Sequence, residues 1–250
     1  MELFLIPAFL FFIGSATGWV IELIFRRFFS SANPERKWIN PGLCTGPYLP
    51  LYGCGLCVLY LLSSLGELPL LSHPVWNKVV LYLCMAAGMT AIEYIAGVFS
   101  LKVAKVRLWD YSNQWGNVQG VICPKFSLAW ALLGVAYDLL IHPHIRVMVR
   151  WLSQNLAFSF FIGIFFGVFL VDFVHATNLL RKLKRFAEEN GVIVRFEAIK
   201  QELRLRSDAL KEKYRFFQPF RSGKPLYEQL RSMKESFEKR MPKIRQEKKS

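Results

Sequence analysis

Apolar residues fall along this chain in blocks rather than in alternating or helical stripes. Five stretches, about 3–25, 46–65, 75–101, 126–142 and 152–177, consist mainly of hydrophobic and small side chains. A helix needs about twenty residues to cross roughly 30 Å of hydrocarbon, and each block approaches or exceeds that length. Backbone groups left unpaired in lipid are costly, so blocks of this kind are expected to be helical. The second block is the least regular: Pro47 and Pro50 stand near its start and Gly53 and Gly55 follow, so a bent or partly re-entrant segment is expected there. The first block lacks a basic leader and a small-residue cleavage site and is longer than a secretory signal, so it is read as a retained span. The fold class expected is all-α: a polytopic membrane protein of about five transmembrane helices, residues 1–177, followed by a basic cytoplasmic helical tail, residues 178–250.

In the tail the pattern changes. Phe196, Ile199, Leu203, Leu210, Tyr214 and Phe217 recur at near-helical spacing among Lys, Arg and Glu, and Leu226, Leu230, Met233, Phe237 and Met241 follow beyond Pro225. Two amphipathic helices are expected, lying on each other or on the membrane surface.

Charge orients this arrangement. Of the net +14, about +3 belongs to residues 1–175 and +11 to the remainder. Lys and Arg are retained on the cytoplasmic side, which places the tail inside and, counted back through five spans, the N-terminus outside. The connections holding Arg26, Arg27, Arg36 and Lys37, and then Lys102, Lys105 and Arg107, fall inside. The segment from His142 to Arg150 is expected as an outer loop, somewhat discordant in its charge. The location expected is a membrane, in multi-pass form. The partners expected are the bilayer, with anionic headgroups at the tail, and no nucleic acid, since no stacking platform or recognition motif accompanies the charge.

Acids within spans ask for a reason, because a charge at the bilayer centre costs on the order of 3 kcal/mol by insertion scales. Glu22 lies one turn before Arg26 on the same helical face. Glu93 stands two-thirds along the third block with no basic residue within a turn. Asp172 lies near the inner end of the fifth block and Asp138 near the outer end of the fourth. Between the third and fourth blocks, RLWDYSNQWGNVQG (107–120) packs two tryptophans, a tyrosine, an aspartate and two asparagines into a connection. Buried polar groups need partners. The loop is therefore expected to fold back into the bundle, with Asp110 and Asn117 pairing with groups of the 40–47 segment, Asn40 among them, and Trp109, Tyr111 and Trp115 covering them. Lys125 is expected at the same inner level. The bland alternative is an aromatic belt that only anchors the interface. Glu22, Arg26, Asn40, Glu93, Trp109, Asp110, Tyr111, Asn117 and Lys125 form the expected polar network.

A short internal resemblance supports a paired organisation. Gly18, Trp19 and Glu22 lead through a basic loop to Asn40, Gly42, Cys44 and Pro47; Gly97 leads through another to Asn117, Gly120, Cys123 and Pro124. Paired helix–loop–helix halves occur in transport folds, where the irregular backbone between repeats lines the site. The five cysteines form no disulfide framework; Cys54 and Cys57 have redox spacing without a thioredoxin-like context and are read as packing residues. No metal-ligand pattern, cofactor loop or catalytic residue set is present, and no metal or cofactor is expected.

GWVIE (18–22), NPGLCTGPYLPLYGCG (40–55), Glu93-Tyr94, RLWDYS (107–112) and the run from Asn117 to Cys123 together resemble a bacterial integral membrane family described as "putative ABC-transporter type IV", permease-like, over most of residues 10–135. Such proteins often carry a second glutamate before the WDYS loop; Leu101 stands there in this chain. The resemblance implies a permease-like transport component. That component would need a separate ATPase, because this chain has no G-x-x-x-x-G-K-[ST] phosphate loop. Two other readings stay open: a membrane enzyme acting on a lipid or lipid-linked substrate at the inner leaflet, with Glu93 or Asp110 as base, and a non-catalytic scaffold whose acids lock the bundle.

Overall fold

The first apolar block forms one helix, α1 (Glu2–Phe28), whose 27 residues span about 40 Å at 1.5 Å per residue. The computed structural model describes residues 2–30, 33, 36–66, 73–196 and 199. It is mostly helical, 76%, with almost no sheet. Among the described residues, four helical stretches are long and apolar enough to cross a membrane: Phe4–Phe28, Val75–Val103, Pro124–Gln154 and Leu156–Asn190. The second block yields a shorter apolar helix, α2 (Pro50–Gly66). It starts at Pro50, where a fixed φ and a missing N–H suit a first helical position. Residues 40–49 are spent on an irregular loop, anchored where the Leu49 amide donates to the Ser15 carbonyl at 2.9 Å.

The third block is α3 (Pro74–Val98), extended by a π-helical turn over Phe99–Val103. The fourth is α4 (Pro124–Ala136), which passes through a second π turn, Tyr137–Ile141, directly into α5 (His142–Gln154). The loop expected from His142 to Arg150 is thus an amphipathic helix. Ile145, Val149 and Leu152 are buried on one face, while Arg146 and Arg150 face outward. Those three apolar residues join Phe9, Leu10 and Ile162 in the main core, and their i, i+4, i+7 spacing is the reason the segment holds helical form.

The fifth block is α6 (Ser159–Asn190), 32 residues or about 48 Å, longer than a bilayer's hydrocarbon. It runs without a break through residue 178, where the tail was expected to begin. Its last turns carry Leu183, Phe186 and Ala187 into a second core with Ala104, Val106, Val194 and Phe196. There β1 (Val106–Arg107) pairs in parallel with β2 (Val194–Arg195). The expected apolar stripes of the tail from Leu203 onward lie outside the described residues.

Helices α1 and α6 run parallel: Phe9 meets the Phe158 ring at 6.3 Å, and Phe11 meets Phe166 and Phe169 further along both helices. The loop after α1 and the loop after α3 therefore share one end of the bundle with the last turns of α6. The α1–α2 pair is close because Gly14, Gly18 and Gly53 leave room for it; a Cβ on Gly18 would lie 2.2 Å from the Cβ of Tyr52. Small residues are the usual device for close helix contact in lipid, where no hydrophobic force favours one apolar surface over another. Gly18→Ala is expected to push Tyr52 aside at a cost of about 1–3 kcal/mol, read as a lower midpoint in thermal unfolding of the detergent-solubilised protein.

At the opposite end, Asp138 ties three helices together. It accepts from Ser63 at 3.1 Å, from Lys78 at 2.6 Å and from Tyr82 at 3.2 Å. Asp138→Ala leaves those donors without their acceptor and is expected to cost roughly 1–3 kcal/mol, seen as reduced membrane abundance without any change in activity per molecule.

Candidate functional site

Two polar clusters form at the end of the bundle shared by both loops. The first is built around Glu93. This acid is 3% exposed, and each carboxylate oxygen takes one neutral donor: the Tyr111 hydroxyl at 3.1 Å and the Trp130 indole N–H at 2.9 Å. Tyr111 reaches α3 because its ring stacks on Phe126 of α4 at 4.3 Å, nearly parallel. Burial, then the charge and hydrogen bond of Glu93, then the charge of Glu22, push the Tyr111 phenol far above its ordinary range. It stays an O–H donor under all ordinary conditions.

Glu22 sits beside this group. It pairs with Arg26 at 2.8 Å and accepts from the Tyr52 hydroxyl at 2.8 Å. The Tyr52 ring meets the Trp130 ring edge to face at 5.7 Å, so the two acids are bridged by two aromatic side chains. One turn before Glu22, the Trp19 indole donates to Asn40 at 3.0 Å. Asn40 in turn holds its loop: its Oδ1 accepts from the Gly42 amide and its Nδ2 donates to the Cys44 and Thr45 carbonyls.

The 107–120 segment is a closed hairpin in which each residue of the WDYS run has a separate task. Trp109 donates to the Val121 carbonyl on the returning arm at 2.8 Å. Asp110 accepts from the Ser112 amide and hydroxyl and pairs with Arg107 at 2.9 Å and Arg195 at 3.4 Å. Gly116 and Gly120 turn the chain with φ of 64° and 68°. A side chain at Gly120 would also strike the Arg107 guanidinium. Asn117 donates to the Ser112 and Gln114 carbonyls and accepts from Gly120.

The expected pairing of Asp110 and Asn117 with the 40–47 loop is therefore corrected. Asn117 is spent inside its own hairpin, where the turn offers its partners, and Asp110 is taken by Arg107 three residues before it, by Ser112 and by Arg195 of β2. Trp115 is 87% exposed and covers nothing in the cluster. Lys125, at the first turn of α4, is exposed and stands apart. Of the expected network, Glu22, Arg26, Glu93 and Tyr111 come together, Asn40 joins through Trp19, and Trp109 supports the hairpin.

Asp110 makes a pH prediction possible. Burial alone would raise its carboxyl, but the Ser112 hydroxyl and amide, Arg107 and Arg195 outweigh it and hold the group below its usual range. A depressed carboxyl contributes stability above its unfolded value and loses it as pH falls through the folded one. Acidification below about pH 4 is expected to loosen β2 from β1, read as lost hydrogen-exchange protection at the Val194 amide, which donates to the Lys105 carbonyl.

The second cluster was not assembled from sequence. Asp172 of α6, 8% exposed, accepts from the Thr45 amide at 3.1 Å, the Thr45 hydroxyl at 2.8 Å, the Gly46 amide at 2.8 Å and the Tyr48 hydroxyl at 2.5 Å. It is this acid, rather than the hairpin, that seats the 40–49 loop. Tyr52, Trp130 and Tyr48 were also missed as site residues. In a lipid-facing helix both faces are apolar, so periodicity does not reveal which aromatic ring points inward. Among the described residues no group of three or more His, Cys, Asp or Glu side chains is placed to hold a metal ion.

No curated protein and no solved structure matches the chain. A family model described as "Putative ABC-transporter type IV" matches residues 9–177, which spans every helix described above up to the middle of α6. By that match the chain belongs to the family of that description.

Proposed function

We propose that this chain is the membrane-embedded component of a transport system, oriented with its N-terminus outside and its loop end toward the cytoplasm. In this reading it works with a separate ATPase subunit, and Glu93 and Glu22 take a cation or a cationic group of the cargo. The family supports transport, and the chain's own sequence lacks a phosphate-binding loop, so hydrolysis has to come from elsewhere. The observation that carries the cationic reading is the state of Glu93. It is buried, and among the described residues its partners are two neutral donors rather than a cation. Among the described residues, Arg26 is the cation that pairs with Glu22, and Glu93 has none. A carboxylate so placed attracts positive charge, and the faces of Tyr52 and Trp130 beside it are surfaces that cations favour. The bacterial inner membrane is the location that fits this orientation.

A second reading, a scaffold whose acids only lock the helices, is favoured by how fully each acid is hydrogen-bonded. The two readings part on Glu93→Gln. Membrane abundance and the transport-dependent growth of cells are measured together: loss of growth at normal abundance supports the transport reading, and reduced abundance with growth in proportion supports the scaffold.

A further inference from the structure

Beyond the acid clusters, the loop end of the bundle holds a cavity of about 660 Å³ between the 42–45 segment and α6. Its walls change character along α6. Near the bundle they are Leu43, Ala176 and Leu179, with His175 and Asn178 among them; further along α6 they are Arg181, Lys182 and Arg185. None of the three long cations makes an ion pair with a carboxylate among the described residues; the nearby Lys184 and Arg195 are the ones that pair, with Glu188 and Asp110. The single acid in the wall, Asp172, has its two oxygens occupied by the four donors of Thr45, Gly46 and Tyr48. Three cations with no carboxylate partner among the described residues repel one another around one cavity and favour an anion there. Two guanidinium groups and an ammonium fit the oxygens of a phosphate. In the proposed orientation the apolar inner wall falls where α6 leaves the hydrocarbon, and the cations follow at headgroup depth.

We infer that this cavity is a binding site for a phosphate-bearing anion, with the phosphate held by Arg181, Lys182 and Arg185 and any apolar part laid against Leu43, Ala176 and Leu179. The same phosphate chemistry is offered by an anionic phospholipid headgroup and by a soluble phosphate. This site is independent of the cation-binding reading of Glu93 and stands or falls separately.

The test uses the full chain in phosphatidylcholine nanodiscs, titrated in one arm with phosphatidic acid and in the other with inorganic phosphate. The Arg181→Gln/Arg185→Gln double variant should bind the phosphate ligand about tenfold or more weakly. Arg146→Gln/Arg150→Gln removes the same charge from the exposed face of α5, outside the cavity lining, and should change binding less than about twofold, since charge not in contact with a ligand acts weakly across screened distances. Asn178→Trp fills the cavity without altering charge and should weaken binding as well. A variant-sensitive phosphatidic acid arm with a silent inorganic phosphate arm identifies a lipid as the occupant; sensitivity in both arms identifies a soluble phosphate. Equal losses in the two double variants, or binding untouched by Asn178→Trp, would show diffuse surface attraction and overturn the site.

Discussion

Glu93→Gln is expected to remove nearly all transport while the amount of protein in the membrane stays close to wild type. The amide keeps the shape of the acid and one acceptor oxygen, so Trp130 or Tyr111 retains its bond. The Tyr111 hydroxyl can rotate to accept from the new amide N–H. Losing or weakening one neutral hydrogen bond costs about 1 kcal/mol, too little to clear a multi-helix protein from the membrane. The charge is a different matter. Two unit charges about 4 Å apart at an effective dielectric near 20 attract by about 4 kcal/mol, which corresponds to roughly a thousandfold in affinity for a bound cation. Even with half of that lost to rearrangement, transport at limiting substrate should fall more than about tenfold. Glu93→Asp keeps the charge but shortens the reach, and should recover part of the activity. Trp130→Phe removes a donor and keeps the charge, so it should lower stability by about 1–2 kcal/mol and leave ion selectivity in place. If Glu93→Gln and Trp130→Phe have the same effect on abundance and activity alike, the acid is a packing group and the cationic reading is wrong.

The contrast between what the chain pattern predicted and what it did not has a physical basis. Length and apolar content are additive along a helix, so five blocks could be read directly, and five apolar helices follow. The stretch from His142 to Arg150 falls between two apolar blocks and so reads as a loop; the spacing of Ile145, Val149 and Leu152 holds the opposite information. The approach of the 107–120 hairpin to Glu93 could be anticipated, because a buried acid needs donors and the neighbouring loop is rich in them. Which residue would reach it could not. Asp110 is expected against the 40–47 segment, yet Arg107 claims it from three positions away, while the aromatic Tyr111 has the length to cross to α3 and Phe126 to lie upon. The β1–β2 pairing joins residues nearly ninety positions apart through two residues on each side. No local pattern encodes so short a match; it follows from where α6 ends.

Asp172→Ala is expected to be the most destabilising single substitution at the loop end, because four donors of one buried loop lose their shared acceptor at once. The segment 43–48 is irregular and half buried, with Cys44 and Tyr48 about 5% and 4% exposed, so its backbone N–H groups cannot turn freely to water. Thr45 and Gly46 donate their amides to Asp172, and two hydroxyls join them. Each buried donor that loses its acceptor costs about 1–3 kcal/mol. Some water would enter from the adjacent cavity, so the total should be about 4 kcal/mol rather than the sum of four full penalties. Asp172→Asn retains one acceptor but turns an N–H toward a donor, and should cost about half as much. Thermal unfolding in detergent measures both. Cys44 supplies a local readout that distinguishes release of the loop from general unfolding. Burial, and then the charge of Asp172, push its thiol up to about 12, which leaves almost no reactive thiolate at neutral pH. In a background where Cys54, Cys57, Cys84 and Cys123 are replaced by serine, Asp172→Ala removes the charge and opens the loop. Maleimide labelling of Cys44 should then accelerate by about a hundredfold or more as the thiol returns toward its ordinary value. Labelling that remains slow below the unfolding midpoint would mean that the loop keeps its seat without the acid, and that α6 and α2 position it by packing alone.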